Sequence, residues 1–145
     1  CCDCEGWLYV ADRENHRVQV FDGDGRYETQ WNNMHRPCGL YMDSSPNPLC
    51  YVGELGPRMP VNREMPNIGP RISVVTTDGR VVARFGDNGT GLKPTQFIAP
   101  HGLAVDSRGD IYVGEVSYTA WPEAFPSKPT PRPLRSLRKL VKEPI

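Results

Sequence analysis

Two stretches of the sequence are near copies of each other. RPCGLYMDSSPNPLCYVGE covers residues 36–54, and APHGLAVDSRGDIYVGE covers residues 99–115. Both contain Pro-x-Gly-Leu, an Asp that ends the first apolar run, a turn, and then Tyr-Val-Gly-Glu. A third segment, residues 6–31, aligns with the later part of this pattern. Internal repeats of this kind restrict the chain to folds that use one structural unit several times.

The spacing of the units identifies the kind of repeat. The equivalent residues Tyr9, Tyr51 and Tyr112 lie 42 and 61 residues apart, so the second unit carries an insertion. A period of about 40–45 residues is typical of a four-stranded propeller blade. Short runs that alternate apolar and polar residues, separated by Gly- and Asp-rich turns, predict strands throughout. The sequence therefore predicts an all-β propeller with about three four-stranded blades present.

The repeats also predict where one blade ends and the next begins. We assign residues 1–35 to a blade that lacks its first strand, 36–98 to a complete blade, and 99–145 to a partial last blade with a basic, Pro-rich tail. The complete blade contains the insertion, a loop over residues 55–70 whose prolines favour extended or turn conformations.

The last blade contains a second Pro-rich segment, residues 116–133, which we predict to be a long loop. Residues 134–142 are compatible with a strand or a short helix. The strand is favoured because the repeat requires one at this point.

Charge and hydropathy narrow the class of partner. Lys+Arg and Asp+Glu both number 17, so the net charge is zero and no nucleic-acid partner is favoured. The basic segment 128–142 is interpreted as solvated, with contact to an acidic partner or nucleic acid as the alternative. No apolar run approaches the roughly 20 residues that a membrane-spanning helix needs.

The cysteines do not form a recognisable framework. They are Cys1, Cys2, Cys4, Cys38 and Cys50. An odd number argues against complete disulfide pairing. A metal site that combined some of them with His35 would lack the paired Cys-x-x-Cys spacing of structural zinc sites. We expect buried cysteines on strands instead.

Residues 9–25, YVADRENHRVQVFDGDG, resemble an NHL repeat. The Asn-His-Leu signature stands here as Asn-His-Arg at residues 15–17. Three such units cover residues 6–115, and the resemblance implies a six-bladed β-propeller. Residues 11–21 and the stretch TQFIAPH, residues 95–101, look most similar to peptidyl-α-hydroxyglycine α-amidating lyases.

The lyase resemblance implies a metal ligand. These lyases hold a catalytic zinc with three histidines from separate blades, near a calcium, and they use a tyrosine and an arginine. Their last zinc histidine stands in a Pro-His-Asp stretch that resembles Pro100-His101-Gly102, so His101 is the candidate zinc ligand. Gly102 replaces an Asp of the calcium environment, which weakens the calcium expectation, and Ala99 replaces a Met beside the metal.

The same resemblance limits what these residues can do alone. The blades with the other two histidines, the tyrosine and the arginine would precede residue 1. The chain would then be the C-terminal half of a propeller and inactive by itself, and the family suggests a secreted or periplasmic location. Cys38 stands where His101 stands in the later unit, as expected for a blade that supplies no ligand. Alternatively, the middle residue of Pro-x-Gly is loosely chosen and His101 binds nothing.

Other polar and aromatic residues have competing interpretations. We expect His16 to form structural hydrogen bonds and His35 to be an exposed loop residue. Three acids at the ends of the second strands are expected to accept backbone N–H groups in the turns. They are Asp12, Glu54 and Glu115. Tyr118 and Trp121 are candidate walls of a binding loop, or they cap the propeller.

Three functions are compatible with these residues. The first is a zinc-dependent, carbon–nitrogen lyase that acts on a peptide-like substrate once the missing blades are supplied. The second is a non-enzymatic NHL propeller that binds a protein or another polymer. The third is a lactonase-type metal hydrolase. A homodimer of two three-blade chains would complete a six-bladed ring and so protect the open strand edges.

Overall fold

The computed structural model, which describes residues 1–86 and 89–143, contains three antiparallel sheets. Strands account for 38% of the described residues and helices for 10%. The all-β prediction is confirmed, and the arrangement is that of a partial NHL-type β-propeller. The boundaries of the blades at residues 35/36 and 98/99 stay a prediction.

The sheets follow one another along the chain. The first sheet has the order β1-β2-β3, with β1 at Leu8–Asp12, β2 at Arg17–Phe21 and β3 at Tyr27–Trp31. The middle sheet has the order β4-β5-β6-β7, with β4 at Pro37–Met42, β5 at Leu49–Glu54, β6 at Arg71–Thr76 and β7 at Val81–Phe85. The last sheet has the order β8-β9-β10, with β8 at Pro100–Val105, β9 at Ile111–Glu115 and β10 at Leu137–Leu140.

The segment after β9 differs from the prediction of a long loop, because it contains the helix α1, Ser117–Ala124. Ser117 and Trp121 are buried and lie four residues apart, so they share one face of the helix. The indole of Trp121 packs on Phe125 with ring centroids 4.5 Å apart, and its Nε1 donates to the carbonyl of Pro129 at 3.1 Å. No helix in the described ranges is long and apolar enough to cross a membrane.

The strand predicted within residues 134–142 is confirmed as β10, and the interpretation of the basic segment as solvated is wrong for Arg135 and Arg138. Arg135 donates to the carbonyls of Leu92 and Gln96, both at 3.1 Å. Arg138 donates to the carbonyl of Gln96 at 2.5 Å, and its guanidinium lies 4.5 Å from the ring centroid of Phe97. These arginines tie β10 to the segment that precedes β8.

Apolar side chains pack between neighbouring sheets. The core between the first and middle sheets contains Tyr9, Val18, Val20, Trp31, Met34, Cys50, Val52 and Val75. The core between the middle and last sheets contains Ile72, Phe97, Ile111 and Val113. A third cluster lies under α1 and contains Leu55, Ile98, Ala99, Trp121 and Leu134. The sheets are therefore held face to face, as in a propeller.

The expectation of buried cysteines is correct for Cys50 and wrong for the cysteines near residue 1. Cys50 is 0% exposed within the first core, and Cys38 is half-buried. Cys1, Cys2 and Cys4 are exposed, because the segment before β1 lies at the surface and contributes only a single bridge from Cys2 to Leu8.

Gly39 allows the first strands of the middle and last sheets to come together. β4 packs against β8, and a Cβ built on Gly39 would overlap the carbonyl oxygen of His101. Gly102 occupies the equivalent position in the last sheet, and a Cβ there would meet no atom within 4 Å. Gly102 would thus allow another strand to approach as closely as β8 approaches Gly39, but none of the described strands covers this face of the last sheet.

The first sheet also has an uncovered face, which corresponds to the face that packs on the preceding sheet in the other two sheets. Val10, Val52 and Val113 are equivalent residues in the three sheets. Val52 and Val113 are 0% exposed because each faces the preceding sheet, whereas Val10 is 38% exposed. The two outer sheets therefore each present a face that the middle sheet buries.

We predict that Gly39→Ala destabilises the chain by about 1–3 kcal/mol, because the added methyl group forces β4 and β8 apart. Urea unfolding followed by tryptophan fluorescence measures the loss. Gly102→Ala is the matched control, and its midpoint is expected to stay at the wild-type value. Equal midpoints for all three proteins would show that β4 and β8 are not packed this closely.

Candidate functional site

The acids at the ends of the second strands organise the loops around the site. Glu54 is 0% exposed and accepts the backbone N–H of His35 at 2.6 Å. The guanidinium of Arg71 donates to both of its oxygens at 2.9 Å, from Nε and Nη2. Arg71 is the cross-strand neighbour of Glu54 on β6. Glu54 thus accepts a backbone N–H as expected, but from the segment before β4 and not from the turn after its own strand.

Glu115 has the same role in the last sheet. Its Oε2 accepts the backbone N–H groups of Ile98 at 2.6 Å and Ala99 at 3.2 Å. Arg135 lies beside it, with 3.7 Å between Arg135 Nε and Glu115 Oε1. Glu54 and Glu115 each hold the segment that leads into a first strand, β4 and β8 respectively.

Asp12 departs from this pattern. It accepts the side chains of Asn15 and Arg17, both at 2.8 Å, rather than backbone N–H groups. The arginine partners of all three acids were missed by the sequence reasoning. Arg17 and Arg71 directly face their acids across strand pairs, and this register was the signal that could have identified them.

His101 and Cys38 both lie at β-bulges. In β8, Pro100 pairs with Glu115 and Gly102 with Gly114, which leaves one extra residue on β8 at His101. The register of β4 against β5 shifts in the same way between Pro37 and Leu40. A bulge turns a side chain out of the regular alternation of a strand. His101 is exposed and lines a cavity, together with Arg13 and Arg36.

This cavity, which we call the Arg36 cavity, has a volume of about 470 Å³. Volumes of about 300–1,000 Å³ are typical of ligand sites. Its polar walls are Arg13, Arg36, Arg58, Arg63, Glu64, Thr90, His101, Thr119 and Glu123. Its apolar walls include Leu55, Ile98, Val116, Ala120 and Phe125. The walls come from the loop after β1, the insertion between β5 and β6, and the helix after β9, so all three sheets contribute.

Arg36 is the most buried of the cavity's arginines, at 8% exposed. Its backbone is left-handed, with φ of 53°, and its carbonyl accepts the N–H of Leu55 at 3.1 Å. Its Nη2 donates to Glu14 at 3.1 Å and its Nη1 contacts the carbonyl of Gly56 at 3.4 Å. Its Nε is buried and has no hydrogen-bond partner among the described residues.

Two stacked imidazoles support Arg36 from the side of the first sheet. The rings of His16 and His35 lie 4.4 Å apart with an interplanar angle of 15°. His16 Nδ1 accepts the backbone N–H of Arg36 at 3.2 Å, so the expected hydrogen-bonding role of His16 is confirmed. His35 was expected to be exposed, and this is wrong, because it is half-buried under His16. Burial and the neighbouring His16 lower the pKa of His35 below its usual range.

Tyr118 and Trp121 lie on α1 and not in a loop, and neither lines the Arg36 cavity. Trp121 is 6% exposed in the core under the helix. Tyr118 is half exposed, and its hydroxyl accepts the N–H of Leu134 at 3.0 Å. These positions favour the alternative in which both residues cap the sheets, and a direct role in binding stays a prediction.

The donors near His101 do not form a complete metal centre. Within residues 1–86 and 89–143, no group of three or more His, Cys, Asp or Glu residues is arranged to hold a metal ion. A catalytic zinc needs about three protein ligands and one open position. His101 therefore does not fit a zinc site built from the described residues alone, and we derive no chemistry through a metal.

Comparison with known proteins identifies the repeats. A family model described as NHL repeat matches residues 1–21. The chain is 30% identical to NHL repeat-containing protein 3 of Mus musculus over 114 residues, which cover 74% of this chain and 31% of that protein. It is 32% identical to Protein brain tumor of Drosophila melanogaster over 111 residues, which cover 74% of this chain and 9% of that protein. The chain spans less than a third of each relative, and both matches support NHL repeats.

We predict that the chain loses stability as the pH falls below about 6.5, the usual pKa of an unfolded imidazole. The pKa of His35 is lowered in the folded state, so the unfolded state binds the proton first and is favoured by acid. Urea midpoints between pH 7.5 and 5.0 measure this loss. In His35→Gln the decline is expected to be shallower. A decline of the same steepness in both proteins would assign it to other groups.

Proposed function

We propose that this chain is a non-enzymatic NHL-repeat propeller segment that binds a protein partner over the Arg36 cavity. The observation that carries the proposal is the composition of this cavity, in which charged groups and apolar walls lie side by side at an open surface. Repeat architectures offer extended concave surfaces for binding, and the shared NHL repeats support this kind of scaffold.

Exposed apolar side chains beside the cavity support the same proposal. Met59, Val61 and Met65 are 59%, 77% and 56% exposed, and all three lie in the insertion between β5 and β6. The same insertion supplies Arg58 and Arg63 to the cavity wall. Contiguous exposed apolar groups mark interaction sites, and methionine adapts its shape to a partner.

Selection of peptides from a phage-displayed random library tests this function. Peptides selected on the wild-type chain are expected to lose binding to the double variant Val61→Asp/Thr119→Arg, because its two substitutions add charge and bulk at the cavity rim. They are expected to retain binding to Val82→Asp, a control on β7, where Val82 is 43% exposed and lies away from the cavity. Selected peptides that bind both variants like the wild type would place any binding site elsewhere and contradict the proposal.

A second candidate function is the lyase chemistry that the sequence resemblance implies, with His101 as one zinc ligand. The supporting observation is the bulge at His101, together with its exposure in the cavity beside Arg13. The remaining zinc ligands would have to come from outside the described residues, and Gly102 offers no side chain to a calcium.

Metal analysis of the purified chain, incubated with zinc and then dialysed, tests this second function. The lyase proposal expects zinc to be retained by the wild type and lost in His101→Ala. His16→Ala is the control, since His16 bonds the backbone of Arg36. Zinc that is absent from wild type and variant alike would remove the lyase proposal for this chain.

The free faces of the first and last sheets support a homodimer that completes the ring. Val10 is exposed on one face, and the space around Gly102 is open on the other. Mass measurement in solution tests this pairing, and a stable monomer would contradict it.

A further inference from the structure

We propose that the partner presents a carboxylate flanked by apolar side chains, and that this carboxylate binds Arg36 and Arg63 in the Arg36 cavity. The inference rests on the proposed protein-binding function and identifies the chemistry of the partner. It follows from the pairing of the charges that line the cavity.

The arginines of the cavity differ in what they already bind. Arg58 pairs with Glu123 at 3.3 Å, and Arg13 pairs with Glu14 at 2.9 Å. Arg36 shares Glu14, but its Nε has no hydrogen-bond partner within residues 1–86 and 89–143. Arg63 makes no ion pair in the described part of the chain. Among the described residues, Arg36 Nε and the guanidinium of Arg63 therefore remain available to a ligand, while Glu64 is an acid of the same wall that also makes no ion pair with them.

Arg36 is held in place by its surroundings, unlike a mobile side chain on the surface. Its exposure is 8%, its N–H is bound by His16 and its carbonyl is bound by Leu55. A non-glycine residue with a positive φ is held there by its surroundings, and such strain concentrates at functional sites. A guanidinium offers five N–H donors, and a buried donor without an acceptor is unfavourable. A carboxylate in the cavity would supply the acceptor that Nε lacks.

The apolar walls indicate that the carboxylate belongs to a peptide. Leu55 and Ile98 are buried, and Val116 is 38% exposed on the wall formed by the start of α1. A free phosphate would leave these walls uncovered. Single-stranded nucleic acids are held by basic grooves with aromatic platforms, whereas Phe125 of this wall is already packed on Trp121. An acidic residue with apolar neighbours fits both parts of the wall.

The ion pair between Arg58 and Glu123 acts as an internal competitor. It joins the insertion between β5 and β6 to α1, and both residues line the cavity. The pair is exposed, at 59% and 46%, so it is readily exchanged for another carboxylate. Removing the charge of Glu123 would release Arg58 and add a third cation for the ligand.

Defined peptides test the inference by fluorescence anisotropy on the whole chain. The probes are a labelled dodecapeptide of alternating Glu and Leu, the same peptide with Gln for Glu, and a dodecamer of deoxythymidine. We expect the Glu peptide to bind about tenfold more tightly than the Gln peptide, because a charge-assisted hydrogen bond is lost with the carboxylate.

Matched variants locate the binding. Arg63→Gln and Arg36→Gln are each expected to remove the preference for Glu over Gln, and Glu123→Gln is expected to increase affinity for the Glu peptide a few-fold. Arg26→Gln is the control, because Arg26 is exposed on the turn between β2 and β3 and lies outside the cavity. Circular dichroism checks the fold of Arg36→Gln, since that side chain is buried, while Arg63→Gln provides the independent test.

Each contrary result has its own meaning. If the Gln peptide binds as tightly as the Glu peptide and the double variant Val61→Asp/Thr119→Arg abolishes binding of both, the inferred role of the carboxylate is wrong. The protein-binding function is then still supported. If neither peptide binds and the library selection also yields none, both proposals fail. Tighter binding of the oligonucleotide, lost in Arg63→Gln, would overturn the class of partner.

Discussion

The carboxylate of Glu54 is the interaction on which the middle of the structure depends. It is fully buried and receives Arg71 and Ser73 from β6 and the N–H of His35 from the segment before β4. A buried carboxylate that loses its partners is strongly destabilising, about 3–5 kcal/mol in comparable pairs. The pair therefore holds the loop before β4 in one position, and this position places Arg36 in the cavity wall. The geometry of the candidate site follows from a structural ion pair beneath it.

The carboxylate of Glu115 has an equivalent role in the last sheet and positions the opposite wall of the cavity. Glu115 binds the N–H groups of Ile98 and Ala99, and these residues lead directly into the bulge at His101. Because Glu54 and Glu115 hold equivalent entry segments, Cys38 and His101 reach equivalent bulges. The cavity lies where these two entry segments meet the insertion and α1. The repeated strands thus form the scaffold, and the segments between these strands supply the charged side chains of the cavity.

The repeat made most of the β structure predictable, and irregular segments account for what was missed. The strand β10 was predictable because β5 and β9 share the sequence Tyr-Val-Gly-Glu and β5 is followed by a paired strand. The helix α1 was not, because its eight residues include Pro122 and carry a buried face of only Ser117 and Trp121. His16, Glu54 and Glu115 were identified correctly as hydrogen-bonding residues, because the acids recur and His16 stands in a known motif. Arg36 and Arg63 were missed, since their roles depend on how far-apart loops meet in space.

The two candidate functions make different demands on the same cavity. Binding of an acidic peptide uses Arg36, Arg63 and the apolar wall, all of which this chain brings together by its own packing. Zinc chemistry uses His101 and needs further ligands that the described residues do not supply there. Among the described residues, the buried donor that this cavity leaves without an acceptor, Arg36 Nε, is suited to an anionic side chain, whereas a lone imidazole at its rim is a weak metal site. The electrostatics of the cavity therefore favour recognition of a partner over catalysis, even though both would use the face where the second strands end.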